Sequence, residues 1–178
     1  MGIDTLVRFA KYFGLGSKTG IELRGETAGV VSGKEKKQKL HNNEPWSAGD
    51  TLQSAIGQYD NEFSPIQMAR YISMLANGGH KIDPTIIKTI RNADGSEASR
   101  EEINKFVNSK LGIEDDNSEE ININQNYLNA VLEGMKSVTS DSGGTAYVRF
   151  KDFNISVGGK TGSAEAAGNK VHAWFVGF

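Results

Sequence analysis

The most constraining feature of this sequence is its last stretch, ISVGGKTGSAEAAGNKVHAWFVGF, residues 155–178. Two extended runs, ISVGGKTGSA and VHAWFVGF, flank EAAGNK, where Gly168 and Asn169 can supply the positive φ of a hairpin turn. The second run is apolar on both faces, which predicts an interior strand. Because the sequence stops at Phe178 without a turn, that strand is left with nothing visible to cover it.

Upstream, the pattern is mostly helical. Ile3, Leu6, Val7 and Ala10 share one helical face, with Gly14 and Gly16 as the stop. In SPIQMARYISMLANGG, Ser64 is an N-cap, Pro65 takes the first helical position and Gln67 completes a capping box. Met68, Tyr71, Ile72 and Leu75 form the predicted buried stripe, and Gly78 with Gly79 ends the helix. Leu128, Val131, Leu132 and Met135 share the face of another helix, and SDSGGTA predicts a turn into a short one. TIIKTIRN reads as a strand turned by Asp94 and Gly95, and residues 100–123 as a polar, weakly helical excursion. A helix starting in the first residues without a lead-in suggests that Met1 opens inside a longer protein.

At 178 residues and 19.3 kDa the chain is sized for one domain. A net charge of −2 gives no basic field for a nucleic-acid backbone, so a nucleic-acid partner is not expected. The one basic run, GKEKKQK (Gly33–Lys39), reads as a solvated loop. GIEDDNSEE, starting at Gly112, lacks the spacing of a calcium loop and reads as an exposed insertion. Without cysteine there is no disulfide, thiol nucleophile or thiolate metal site; neither metal nor cofactor is expected. No apolar run approaches a bilayer span.

Lys-Thr-Gly occurs twice, at Lys18–Gly20 and at Lys160–Gly162. A P-loop needs Gly where Asn154 stands before the second copy, and where Ser17 stands before the first, so neither reads as a nucleotide site. The other chemistry using this triplet sets it on a strand beside a serine nucleophile. There the cation draws an anionic substrate, the hydroxyl binds its carboxylate and Gly leaves room for the acyl group. Only Lys160-Thr161-Gly162 has strand context; the first copy sits in the turn after a helix, with Gly20 serving the loop. Gly158 and Gly159 add support, since glycine weakens a strand unless backbone or ligand approaches closely.

Together with FGLGSKTGIELRGETAG, PWSAGDTLQSAIGQ, SPIQMARYISMLANGG and GGTA, the segment GGKTGSAEAAGNKVHAWFVGF resembles the successive landmarks of the transpeptidase domain of penicillin-binding proteins, in order. The resemblance covers most of the chain outside residues 92–123. It implies an α+β, β-lactamase/transpeptidase-like fold with helices packed on an antiparallel sheet, here incomplete, residues 1–178 being the C-terminal part of a single transpeptidase domain with a polar insertion at about 92–123. Of the family's three motifs, Ser-x-x-Lys, Ser-x-Asn and Lys-Thr-Gly, only the third is present: no serine has Lys three positions later or Asn two positions later.

The resemblance implies serine acyl transfer in the parent enzyme: attack on the D-Ala-D-Ala bond of a peptidoglycan stem peptide, loss of D-alanine and transfer to a neighbouring amine. β-Lactams mimic the donor. Lys160 is implied to stabilise developing charge, Thr161 and Ser163 to hold the substrate carboxylate, and the Ser163 N–H to form half of an oxyanion hole whose other half belongs to the absent nucleophile. The expected partners are stem peptide, β-lactams and the remainder of the same domain, on the extracytoplasmic face of a bacterial membrane. The isolated chain is expected to be inactive. Rival readings are a non-catalytic penicillin-binding or sensor module, and a phosphate-binding protein opposed by Asn154. His172, Trp46, Trp174 and Glu165 read as structural, and Asp50 and Gln58 as loop supports without an assignable role.

Overall fold

The computed structural model describes residues 2–112, 123–166, 168 and 170–178. In chain order these form α1 (Ile3–Tyr12), α2 (Lys34–Leu40), α3 (Ala48–Ala55), α4 (Pro65–Ala76), α5 (Arg100–Leu111), α6 (Gln125–Ser140), α7 (Tyr147–Phe150), β1 (Gly159–Ala166) and β2 (Lys170–Gly177). The two strands pair antiparallel from Gly159 opposite Gly177 to Ala166 opposite Lys170, which makes the fold α+β with a small sheet at the end. Gly168 takes the positive φ of the turn, at +75°; Asn169 lies outside the described residues.

The capping signal places α4. Ser64 Oγ accepts from the Gln67 N–H, and Gln67 Oε1 accepts from the Ser64 N–H at 2.8 Å; a cap of this kind contributes about 1 kcal/mol. Gln67 is fully buried and does more than cap: its Nε2 donates to the carbonyls of Ser17 at 2.7 Å and Ala28 at 2.8 Å, fastening the loop that follows α1. The core forms where the end of α1 meets α4 and α6, from Tyr12, Phe13, Ile72, Met74, Leu75, Leu128 and Met135, with Val176 of β2 packed against it. Each such side chain taken from water contributes roughly 1.5–3 kcal/mol before entropy is counted. Within the predicted α4 stripe Ile72 and Leu75 are buried while Met68 and Tyr71 are half-buried; Met74, outside the predicted stripe, is fully buried. On α6, Leu128 and Met135 face inward and Val131 faces solvent. The Tyr12 hydroxyl donates to the Gly79 carbonyl at 3.1 Å, tying α1 to the end of α4.

Four expectations are corrected. Gly33–Lys39 is not a solvated loop: Lys34–Leu40 is helix α2, and Lys37 is buried, 2.8 Å from Asp50. Residues 85–92 are not a strand. Only an isolated bridge from Arg91 to Glu97 forms across the Asp94–Gly95 turn, because among the described residues no strand lies alongside to accept a ladder. Arg100 instead holds the segment, donating to Thr85 Oγ1 at 3.0 Å and the Ile87 carbonyl at 2.9 Å. Residues 100–111 are a full helix, α5, started by a Ser99–Glu102 capping box and packed through Ile103 and Val107; residues 113–122, most of the acidic run, lie outside the described residues. Strand β2 has β1 as its single strand neighbour among the described residues, and Val171 and Phe175 remain exposed, so it is not an interior strand here.

Candidate active site

The two Lys-Thr-Gly triplets fold differently. In the first, Thr19 is buried, and its N–H and Oγ1 both donate to Glu26 Oε1, at 2.7 and 2.6 Å, while the Gly20 N–H donates to Glu26 Oε2 at 3.2 Å. Gly20 has φ +81°, a left-handed conformation that costs a residue with a Cβ about 1–2 kcal/mol. This triplet is a carboxylate-clamped turn, and its threonine is spent on structure.

The second triplet lies in β1, followed directly by Ser163. Phe178 extends the ladder, exchanging two 2.9 Å backbone bonds with Gly158. Antiparallel pairs alternate between bonded and non-bonded. Counting from Gly158–Phe178, Lys160 and Gly162 bond inward to Val176 and Trp174, and the backbone groups of Thr161 and Ser163 face the other edge, open in that no strand pairs with it among the described residues. Along that edge, Lys160 Nζ curls over to donate to the Thr161 carbonyl at 2.6 Å, and Gln58 Nε2 donates to the Ser163 carbonyl at 3.3 Å. Both edge carbonyls are therefore capped by donors, and the Ser163 N–H stands between them. Such an edge presents N–H donors and a cation to an approaching anion.

Strand alternation sends the Lys160 and Thr161 side chains to opposite faces. Lys160 is exposed. Thr161 shares a hydrogen bond with Thr145, Oγ1 to Oγ1 at 2.8 Å. The turn that delivers Thr145 is built tightly: a Cβ at Gly144 would lie 2.4 Å from the Val138 carbonyl oxygen, so only glycine fits. Just beyond it, Phe150 of α7 stacks on Phe175, the residue opposite Thr161, with centroids 5.2 Å apart. The glycines before the lysine are close-approach positions, since a Cβ at Gly158 would meet the Phe178 ring at 2.5 Å and one at Gly159 the Phe175 ring at 2.4 Å. At Gly162 the nearest atom to a Cβ would be Trp174 Cβ at 3.8 Å, so packing does not demand glycine there.

Gln58 arrives from a loop with an unusual backbone. Tyr59 has φ +69°, strained for a bulky side chain. Its ring is held by three neighbours: the His41 imidazole stacked at 5.6 Å, the Trp46 indole edge-on at 5.7 Å and Lys37 Nζ at 6.0 Å. His41 Nε2 in turn lies 2.8 Å from Asp60 Oδ2. Asn61 fixes the loop from the other side, accepting from the Ser32 N–H and donating to the carbonyls of Ser54 and Gln58. The Asp50 carboxylate anchors Lys37 and caps α3 through the Ser47 N–H. The hydrogen bond from Lys37 holds the Asp50 carboxyl below its ordinary value, and the bond to Asp50 raises the Lys37 ammonium. Asp50 thus supports the loop and does not reach the strand. His172 and Glu165 are exposed on the hairpin, and Trp46 donates to Thr51 Oγ1 at 2.8 Å as a packing residue. Thr145 had a legible signal, its place in GGTA; Gln58 had no signal for its contact, because 105 residues separate it from Ser163.

These features define a class: an α+β domain whose hairpin offers Lys-Thr-Gly along an open, donor-lined strand edge. The family model of the penicillin binding protein transpeptidase domain matches residues 1–178. The chain is 32% identical over 193 residues to peptidoglycan D,D-transpeptidase MrdA of Haemophilus influenzae, covering 100% of this chain and 28% of the relative. It is 37% identical over 154 residues to penicillin-binding protein H of Bacillus subtilis, covering 86% and 18%. Among solved structures, Pseudomonas aeruginosa PBP2 in complex with WCK 5153 superposes over 100% of this chain and 36% of that one, with TM-score 0.80 and 32% identity. Helicobacter pylori PBP2, in its complex with MreC, gives TM-score 0.74 at 27% identity over 100% of this chain and 29% of that one. The chain belongs to the penicillin-binding protein transpeptidase domain family. It spans between about a fifth and a third of the lengths of these relatives.

Proposed function

We propose that these residues form the Lys-Thr-Gly wall of a D,D-transpeptidase site that cross-links peptidoglycan, with the nucleophilic serine carried by sequence outside this chain. The observation that supports this reading best is the open β1 edge, where a cation and a backbone donor converge on the strand carrying the triplet. The missing nucleophile fits the relatives' greater length: no serine here has the Ser-x-x-Lys or Ser-x-Asn pattern. Residues 1–178 are then part of one transpeptidase domain, with about 92–123 as its polar insertion.

In the assembled site the serine hydroxyl adds to the carbonyl of the penultimate D-alanine of a stem peptide. The Ser163 N–H takes the developing oxyanion, and Lys160 stabilises the charge and serves proton transfer. The Thr161 and Ser163 hydroxyls hold the terminal carboxylate, and the space at Gly162 admits the acyl group. D-Alanine departs with its nitrogen protonated. The acyl group then passes to an amine of a neighbouring stem, releasing the serine. A β-lactam enters as a donor mimic and stays attached. The substrate places the site on the extracytoplasmic side of the bacterial membrane.

Fluorescent penicillin tests the reading. The 178-residue chain alone is expected to take no covalent label, whereas the chain joined to a segment with Ser-x-x-Lys and Ser-x-Asn labels, and Lys160→Ala in that protein slows labelling by about 10²–10³-fold. Labelling of the isolated chain at any of its own serines would refute it.

A further inference from the structure

We infer that Gln58 is a positioning residue for acyl transfer: its side-chain amide caps the Ser163 carbonyl at the open edge of β1 and so holds the adjoining Ser163 N–H ready to receive negative charge. The inference rests on the proposed use of β1 as a substrate wall.

Ser163 presents an acceptor and a donor side by side, since the N–H and C=O of one strand residue face the same direction. An oxyanion approaching the N–H therefore meets the negative end of the neighbouring carbonyl. Gln58 Nε2, 3.3 Å from that oxygen, places a donor against it and offsets the repulsion. The same bond ties the strand edge to the loop behind it, which limits rotation of the backbone that carries the N–H. Lys160 Nζ does the corresponding work at the Thr161 carbonyl.

The loop is built to hold this geometry. Tyr59 adopts a left-handed conformation directly after Gln58 and is kept there by His41, Trp46 and Lys37, the last paired with Asp50 and 8% exposed. Asn61 bonds the Gln58 carbonyl at 3.0 Å. Strain of this sort persists only where surrounding contacts over-determine it, and here they converge on the residue beside the one that reaches the strand. Gln58 is itself half-buried.

The test uses the intact transpeptidase that carries this segment, with stopped-flow acylation by a fluorescent penicillin resolved into a limiting rate and a half-saturating concentration. Gln58→Ala is expected to lower the limiting rate about tenfold, the cost of one preorganising hydrogen bond, and to leave half-saturation unchanged because the oxyanion exists only after attack. Gln58→Glu keeps the shape but offers only acceptors, and is expected to be slower still. Either variant acylating within about twofold of the parent, or a loss confined to half-saturation, would overturn the inference. Lys160→Ala run beside them separates the two ideas. If it acylates normally, β1 is not the wall; if it fails while Gln58→Ala is unaffected, only the role of Gln58 falls.

Discussion

The same three residues occur at 18–20 and at 160–162, and they do opposite jobs. At the first position the threonine is buried and its hydroxyl and N–H are consumed by Glu26, the glycine is bent to φ +81°, and the lysine is left exposed on a turn. At the second the backbone is extended, one edge is open, and the lysine and threonine keep their polar groups at the surface. A tripeptide acquires chemistry from its backbone conformation and from whether that conformation leaves its polar groups at the surface or buries them in a turn.

Paired substitutions sharpen that contrast. The largest difference is expected between the lysines. In the intact enzyme Lys160→Ala lowers penicillin acylation by about 10²–10³-fold, the scale of a lost transition-state charge contact, whereas Lys18→Ala leaves the rate unchanged. Equal effects at the two would break the comparison. Next come the threonines, with the direction reversed for stability. Thr19→Ala removes a buried bond to a carboxylate and is expected to cost about 1–3 kcal/mol in urea unfolding, while Thr161→Ala, at a surface hydroxyl pair, costs about 0.5 kcal/mol or less. The glycines differ on a smaller scale. Gly20→Ala forces a left-handed alanine and costs about 1–2 kcal/mol, but Gly162→Ala meets nothing nearer than Trp174 Cβ at 3.8 Å, so thermal stability is unchanged while acylation slows. The smallest effect concerns the support behind Gln58. Asp50 has a folded value depressed below its ordinary 3.8 by the Lys37 bond, so its share of stability is complete above that pH and is lost as pH falls through the lower folded value. Urea midpoints measured across that range are expected to drop in the parent and to drop less steeply in Lys37→Met.

Much of the helical framework was legible because its signals are local. Ser64, Pro65 and Gln67 mark the start of α4 within four residues, and Leu128 and Met135 show their shared face by spacing alone. The hairpin was legible from Gly168 and the two extended runs around it. Helix α2 was not, because its lysine-rich sequence has no apolar period; Lys37 goes inside because Asp50, thirteen residues on, and Glu44 are there to receive it. The strand expected at 85–92 failed for the converse reason, since β-branched residues make a strand only beside a neighbour, and among the described residues they have none. Thr145 was marked by its place in GGTA, 16 residues from Thr161, whereas Gln58 reaches β1 from 105 residues away, beyond any local pattern.

By itself, then, the sequence determined the elements whose hydrogen bonds close within a few residues: the capped helices, the turn at Gly168, and the strand context that distinguishes the second Lys-Thr-Gly from the first. Tertiary packing settled which edge of that strand stays open among the described residues and which distant side chains cap its carbonyls. Those outcomes depend on groups that meet after the chain has collapsed, and their spacing along it carries no record of the meeting.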